Sequence, residues 1–581
     1  MVTKLPVAAA AIPPAVIVWL VAGEAMNVPF WDDWDLVGFL ESVSTRGLRI
    51  GDLWAQHNEH RLVLPRLAML ALARASAWDV RVTMAASIVI ALVTLGVLGL
   101  VIDRSLRPSA PALRPWVFLS GSLMTFSMVT WENWLWGWQV QVFMSALAAT
   151  VVAWALATYG PRWPGPPLAL AAAIGGALSF ASGLVLLAVV PIVLALDPRN
   201  TSRRRGAALL TAAAGVAFVA IYLAGFHYPA THPGLLPALG RPLGVVTYAL
   251  AYLGSPFAVG FRLLTLADAT PVIALSAVWG ALGLAVVAGG AAWTWRRHSA
   301  DRAALVPWLA LTLFATLSAA MTGFGRLGLS IDSALSSRYT TIAALFWVSV
   351  TAVTALIAAR IVPGVSRRGA ISLLALLAIV EVAAIAGYSI SYTFGLQVAH
   401  VYRDGLRRGA ECLRFHRIAP DHCLRLLYPD TAILRDRVRR VEALAIGPFA
   451  PAAGEPAFAS YSIASASETA GSIDFIGTDY DDTEFVVVGW GLDPVTRGSA
   501  RGVLVVVDGQ VMGRAVTGVE RPDVATTLRA GSRVNAGWVF RFGAFRLGPG
   551  SHAIDAYVVM DQRRIAKLAG SRVVAVAERR T

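Results

Sequence analysis

Long apolar runs separated by short polar segments dominate the first two thirds of the chain. A helix needs about 20 apolar residues to cross the hydrocarbon of a bilayer. Runs of that kind predict spans at 7–24, 79–102, 115–131, 139–160, 166–179, 182–197, 206–226, 271–294, 304–323, 340–360 and 369–391, eleven in all. The pair 166–179 and 182–197 is short enough to form one re-entrant hairpin. The stretch 243–260 is also apolar, but it is read as an interfacial or partly buried helix, because a further crossing there breaks the charge alternation described below. The first span lacks a convincing small-residue cleavage site and reads as an anchor, not a signal peptide.

Beyond the last span the pattern changes twice. In 431–446, Leu434, Val438, Val441 and Leu444 recur three or four residues apart, which predicts an amphipathic helix. From about residue 470 the period falls to two. Strands are expected at Phe485–Gly491, Gly502–Val507, Trp538–Phe542, Ser551–Val559, Ile565–Leu568 and Val573–Val576, with an Asp508-Gly509 hairpin turn after the second. Short strands at regular spacing suggest a β-sandwich. The expected organisation is a membrane body over 1–391, a basic helical juxtamembrane linker over 392–465 and a β-sandwich over 466–581.

Composition fits this division. The chain has 581 residues, 57% of them apolar and 14% charged, where a soluble domain carries roughly 25% charge. Lys and Arg number 49 against 35 Asp and Glu, a net of +14. That excess does not call for nucleic acid. It collects in the short loops 103–114, 198–205, 296–302 and 360–368 and at Lys4, all of which belong inside by the positive-inside rule, and in 400–440, where ten arginines face five acids. Eleven spans alternate correctly with those loops inside. Residues 25–78, 227–270, 324–339 and everything after 391 then share the outer face. High Ala, Arg, Gly and Val point to a GC-rich bacterial genome, so this face is extracytoplasmic at the cytoplasmic (inner) membrane. A disulfide is allowed there, and Cys412 and Cys423, eleven apart, are expected to form one.

Three polar islands lie on the outer side. The first contains Phe30-Trp31-Asp32-Asp33-Trp34-Asp35 and Gln56-His57-Asn58-Glu59-His60-Arg61. Tryptophans and acids are ordinary in such a loop, but carboxylates where a helix leaves the membrane desolvate partly and rise in pKa. They are then poised to take a proton from a hydroxyl or to hold a divalent cation. His57 and His60 share a face if the segment is helical. The order His57, Glu59, His60 is not the HExxH zinc motif. The second island runs from Trp131 to Gln141, with four tryptophans in eight residues. It is either an aromatic belt or a sugar platform, with Asn133 and Gln139 amides able to bond hydroxyls. Glu132 in it is expensive at membrane depth without a partner. The third island, Gly323-Phe324-Gly325-Arg326-Leu327-Gly328 with Ser336-Ser337-Arg338-Tyr339, places two arginines outside, where their fixed donors suit a phosphate. His227, Tyr228 and His232 are further pocket candidates. Asp474, Asp479, Asp481 and Asp482 lack a calcium-loop spacing and read as a solvated loop. Trp490 and Trp538 are either sandwich core or sugar platforms.

The pattern over 1–391 resembles the GT-C superfamily of integral membrane glycosyltransferases. Asp32 and Asp33 stand where those enzymes keep an acidic motif in the first outer loop, and the Glu132-Asn133-Trp134 and Ser337-Arg338-Tyr339 segments are similar to those of bacterial members. The resemblance implies a polyprenyl-phosphate-linked sugar donor and a glycan or glycolipid acceptor. Asp32 or Asp33 would be the base. Arg326 and Arg338 would take the donor phosphate, helped by His57, His60 and Arg61. Asp35, Glu59, Trp131, Glu132, Asn133, Trp134, Gln139 and Tyr339 would line the sugar or acceptor site. No cofactor is required, because the donor already leaves with one phosphate; a divalent cation is compatible with the clustered carboxylates. A transporter or flippase of a lipid-linked glycan would place its polar groups at mid-membrane. A non-enzymatic envelope assembly protein would leave Asp32, Asp33, Glu132 and Arg338 without a common cavity.

Overall fold

The computed structural model describes residues 4–576 except 200, 230–235, 266–267, 362–366, 451–457, 465–470, 479–483, 494–498, 501, 528–534 and 562. His232, Asp479, Asp481 and Asp482 lie outside the described residues. The chain is a polytopic, largely α-helical protein with a C-terminal β-rich region, and it divides into two compact units, Met1–Arg403 and Asp404–Thr581.

Among the described residues eight helices are long and apolar enough to cross a membrane: Leu5–Glu24, Val80–Leu106, Gly137–Tyr159, Ser202–Leu223, Thr270–Arg297, Ser299–Arg326, Ser337–Ile361 and Ile379–Arg414. The count becomes nine if Pro242–Phe257 and Val259–Thr265, bent by 85° at their junction, form one span. Three of the eleven expected runs form helices shorter than a full crossing. The run 115–131 holds only the helix Arg114–Thr125, because the chain leaves helical geometry at Phe126 and Ser127 caps a short 3-10 turn instead. The runs 166–179 and 182–197 become the short apolar helices Gly165–Ala177 and Ala181–Leu196.

Those two short helices meet at glycine. A Cβ on Gly183 would lie 2.0 Å from the carbonyl carbon of Gly176, a distance only a backbone shift could relieve. Gly183→Val is therefore expected to lower the melting temperature of the detergent-solubilised protein, with a cost of about 1–3 kcal/mol as an overpacking lesion. An unchanged melting temperature would show that the crossing tolerates a side chain.

The helix Pro242–Gly254, expected to be interfacial or partly buried, has one face inside the bundle. Tyr248, Ala251, Tyr252 and Leu253 are fully buried while Leu243 and Val246 are exposed. A Cβ on Gly254 would meet the Ser276 carbonyl at 1.8 Å, so this crossing also needs glycine. The last helix, Arg367–Arg414, continues well past the expected end of its span at 391. Its charged C-terminal part takes in the start of the segment expected to be a linker.

In the second unit Cys412 and Cys423 are joined by a disulfide with Cα atoms 6.2 Å apart. The helix Thr431–Leu444 forms as its apolar spacing predicts, burying Leu434, Val438 and Val441, and Asp430 caps it by accepting from the Ala432 and Ile433 N–H groups at 3.0 Å. The strands are β1 (Ser462–Ile463), β2 (Gly471–Thr478), β3 (Glu484–Gly491), β4 (Val503–Val507), β5 (Gln510–Val519), β6 (Gly537–Gly543), β7 (Gly550–Val559), β8 (Arg564–Lys567) and β9 (Arg572–Val576). Their order is β1-β8-β7-β4-β5-β6-β3-β2, with β9 beside β7, and β5 joins two sheets by pairing β4 at one end and β6 at the other. Side chains from both sheets, among them Val487, Val505, Trp538, Phe542 and Ile554, make one apolar core. Asp508 and Gly509 have φ of 50° and 78°, the left-handed pair that a tight two-residue hairpin needs. Trp538 is wholly buried in that core and is no sugar platform; Trp490 packs beside Leu492 and Val524. Asp474, expected in a solvated loop, lies in β2 and pairs with Arg521 at 2.5 Å.

Candidate functional site

The acidic segment is fixed by a local alternation. Residues Trp31–Leu36 form a 3-10 helix in which Trp34 is fully buried, edge-on to Trp78 with ring centres 6.0 Å apart. Asp33, beside it, is buried, and its Oδ2 accepts from the Phe30 N–H at 3.1 Å. The Trp136 indole N–H donates to the Phe30 carbonyl at 2.9 Å and so holds the same turn. Burial nevertheless pushes the carboxyl up to about 8, so it stays protonated near neutrality. Phe30 is held by Trp136 and Tyr402, both edge-on. Trp31 takes φ of 44°, in the left-handed region that a bulky residue adopts only under constraint. This kink separates two classes of carboxylate: Asp33 turns inward, and Asp32 is left half-buried on the rim of a cavity.

That cavity has a volume of about 710 Å³. Its lining includes Asp32, His57, Glu59, His60, Gln139, Arg326, Arg338 and Tyr339, all singled out in the sequence. Burial pushes Asp32 up to about 6; Asp35 adds to the rise, and Arg338 partly opposes it. Apolar lining comes from Phe180, Leu184, Val185, Ala188, Leu317, Ala320 and Met321, among others. These wall residues carry no chemical signal in the sequence. Phe180 lies between the two short helices, and only the break between two short apolar runs hints at it.

His57 and His60 do not share a helix. Each donates its N–H to the other's carbonyl, at 2.9 and 2.8 Å, around a tight turn in which Asn58 has φ of 47°. Both rings still reach the cavity. His60 stacks on Phe180, ring centres 4.6 Å apart, and its Nδ1 accepts from the Ala181 N–H at 3.0 Å. This assigns the proton of the neutral ring to Nε2, which lies 3.8 Å from Glu59. His57 sits against Trp138, with Nδ1 3.9 Å from Asp35 Oδ2. Burial pulls its pKa down to about 4, so it is a neutral hydrogen-bonding or ligand group near pH 7 and adds no positive charge for a phosphate. Glu59 forms a close ion pair with Arg326.

Arg338 Nε lies 3.8 Å from Glu132 and 3.1 Å from the Ser336 hydroxyl, which answers the need of Glu132 for a partner. Asn133 is fully buried, and its amide nitrogen donates to Thr130, Thr341 and the Arg338 carbonyl, so it ties two loops together and offers nothing to a sugar. Trp134 is equally buried, with its indole bonded to the Ser127 carbonyl. Trp131 rests against Tyr402. None of Asp33, Asp35, Arg61, Trp131, Glu132, Asn133 and Trp134 is among the described residues that line the cavity. Arg61 is buried, and its guanidinium donates to the carbonyls of Trp54, Tyr222 and Ala224 at 2.7 Å each. Of the loop candidates, Tyr228 lines the cavity, whereas His227 is held through its backbone by Gln56.

Asp32, Asp35 and His57 each bring one ligand atom to within 4.8 Å of the other two. Two carboxylates and a neutral imidazole suit a hard or borderline divalent cation. The chain is thus a multi-pass membrane protein with a partly buried acidic and histidine cluster fit for catalysis or metal binding. No protein-family model matches it, and no curated protein matches it either.

Proposed function

We propose that the protein is a membrane glycosyltransferase of GT-C type. It would move a sugar from a polyprenyl-phosphate donor to a hydroxyl of a cell-envelope glycan or lipid on the outer face of a bacterial cytoplasmic membrane. The observation that carries this reading is one cavity whose lining brings a carboxylate raised toward neutrality and two arginines together with many apolar side chains. An apolar chain fits the wall from Val185 to Met321. A phosphate fits Arg326 and Arg338, whose guanidinium groups offer fork-shaped donors. The basic loops 103–114, 198–205 and 296–302 support placing this end outside.

In the reaction, Asp32 takes the proton of the acceptor hydroxyl as that oxygen bonds to the anomeric carbon. The bond from that carbon to the phosphate oxygen breaks, and its electron pair leaves on the phosphate, where the arginines stabilise it. Attack opposite the leaving group inverts the anomeric centre. The products are the glycoside, polyprenyl phosphate and a proton on Asp32 that passes to water. Asp33, protonated and capped, serves as a structural acid. Should a divalent cation bind, Asp32, Asp35 and His57 would hold it, and it would supply positive charge beside the phosphate.

The test is incubation of the full-length protein in nanodiscs with labelled polyprenyl-phosphate sugars, with and without a chelator. Release of polyprenyl phosphate together with labelled glycoside is expected. Loss of turnover on chelation and its return with Mn²⁺ would assign a cation to the cluster. Donor left intact across all common sugars, with envelope extract supplied as acceptor, would refute the transferase reading.

A further inference from the structure

The cavity holds a carboxylate that works against an anion. Glu59 forms a close ion pair with Arg326, and the two side chains keep 28% and 25% of their exposure while both line the cavity. The other cavity arginine is held differently. Arg338 faces Glu132, which is not among the described residues that line the cavity. The acids among the described lining residues are Asp32 and Glu59, and the arginines are Arg326 and Arg338. With Asp32 ionised, these four charges cancel. In the proposed reaction Asp32 is the base and Glu59 takes no part. A carboxylate in contact with a phosphate-binding arginine competes for that arginine and repels the phosphate that takes it.

We propose that Glu59 competes with lipid phosphate for Arg326 and so favours the singly charged donor over the doubly charged product, which makes it a product-release residue. The proposal rests on the transferase reading, because a lipid phosphate must enter this cavity. The donor is a phosphodiester with one negative charge. When the bond from the anomeric carbon to the phosphate oxygen breaks, that oxygen keeps the electron pair, and the product is a monoester with a second ionisable oxygen. The proton of the acceptor hydroxyl goes to Asp32, so the charge of the site is unchanged at this point. Once that proton passes to water, the site holds one negative charge more. A phosphate monoester carries about −1.5 to −2 near pH 7. Coulomb repulsion scales with charge, so Glu59 opposes the product up to about twice as strongly as the donor. Discrimination of this kind comes from a repulsive element built against the unwanted ligand. The Glu59 oxygen that meets Arg326 also lies 3.8 Å from His60 Nε2, the ring nitrogen that carries the proton. It therefore has a second partner when a phosphate takes the arginine. Glu59 acts through Arg326 and is a positioning residue.

The test titrates the full-length protein in nanodiscs at pH 8 with two lipids of one chain length, polyprenyl phosphate and its methyl diester. The diester keeps the single charge of the donor and requires no choice of sugar. Glu59→Gln is expected to bind polyprenyl phosphate about tenfold more tightly and the diester no more than about threefold, since charge alone separates the two ligands. Glutamine keeps an acceptor for Arg326, so the melting temperature should hold. Glu59→Asp keeps the charge and should restore the wild-type preference. Glu59→Ala removes the charge by a different route and should show the same selective tightening, so the outcome does not hinge on one variant. In turnover, Glu59→Gln should lower KM for the donor and kcat together, because release of product then limits the rate. Equal tightening of both lipids in the charge-removing variants, or none, would overturn the release role and leave the transferase reading standing. A wild type that binds neither lipid would overturn both.

Discussion

Asp32→Asn is expected to lower sugar transfer by about 10²–10⁴-fold, the range a positioned general base contributes, while Asp33→Asn retains most of it. The two substitutions are chemically identical and one residue apart, so the contrast isolates environment. Asparagine cannot accept a proton at position 32, where the carboxyl faces the cavity. At position 33 the native carboxyl is already neutral near pH 7, since burial raises it to about 8. An amide oxygen there can still accept the Phe30 N–H bond. The pH profile follows from the same argument. A base works only when deprotonated, so turnover should fall as pH drops through about 6, the value to which Asp32 is raised. A cation held by Asp32, Asp35 and His57 would favour the carboxylate and move that acid limb to lower pH. Equal loss in both variants would mean that the kink at Trp31 does not separate the roles of the two acids. A reversed order would make Asp33 the reacting group.

Much of this was legible in the sequence, and the gaps have physical reasons. Apolar run length located the eight long helices, because a span must match the hydrocarbon thickness whatever its neighbours do. It overran at 115–131, where the helix ends at Phe126, while 166–179 and 182–197, already short as runs and open to a re-entrant reading, form the short helices Gly165–Ala177 and Ala181–Leu196. Period-two alternation located six strands and their hairpin, since burial on one face imposes it. It did not separate Asp474 in β2 from the loop around it, because a strand's exposed positions accept the same residues as a loop. In the site, residue type found the ionisable members of the cavity. It could not tell rim from interior, and so put Asp33, Asn133, Trp134 and Arg61 beside groups that do face the cavity. Burial, not chemistry, sorts them.

Arg61 bears this out most sharply, and Arg61→Met should cost about 3 kcal/mol or more in stability. Its side chain donates to three carbonyls, two of them, Tyr222 and Ala224, at the end of the helix Thr201–Leu223. Its own N–H donates to the Tyr222 hydroxyl at 2.9 Å. The guanidinium also lies 5.0 Å from the Trp54 ring centre. A cation at a helix C-terminus is favoured by the exposed carbonyls and the dipole. Its removal strands several of those carbonyls, each worth about 1–3 kcal/mol when buried unpaired. Methionine keeps the volume, so the loss reports hydrogen bonding and not a void. Lysine keeps the charge but not the fork, and Arg61→Lys should recover only part of the melting temperature. A phosphate-binding arginine behaves differently: stability would hold in both variants, and the change would appear as a raised KM for the donor, less so with lysine, which keeps the charge but loses the fork. Thermal unfolding of the three proteins beside donor titrations therefore decides between the two roles. An unchanged melting temperature with a raised KM would return Arg61 to the phosphate site.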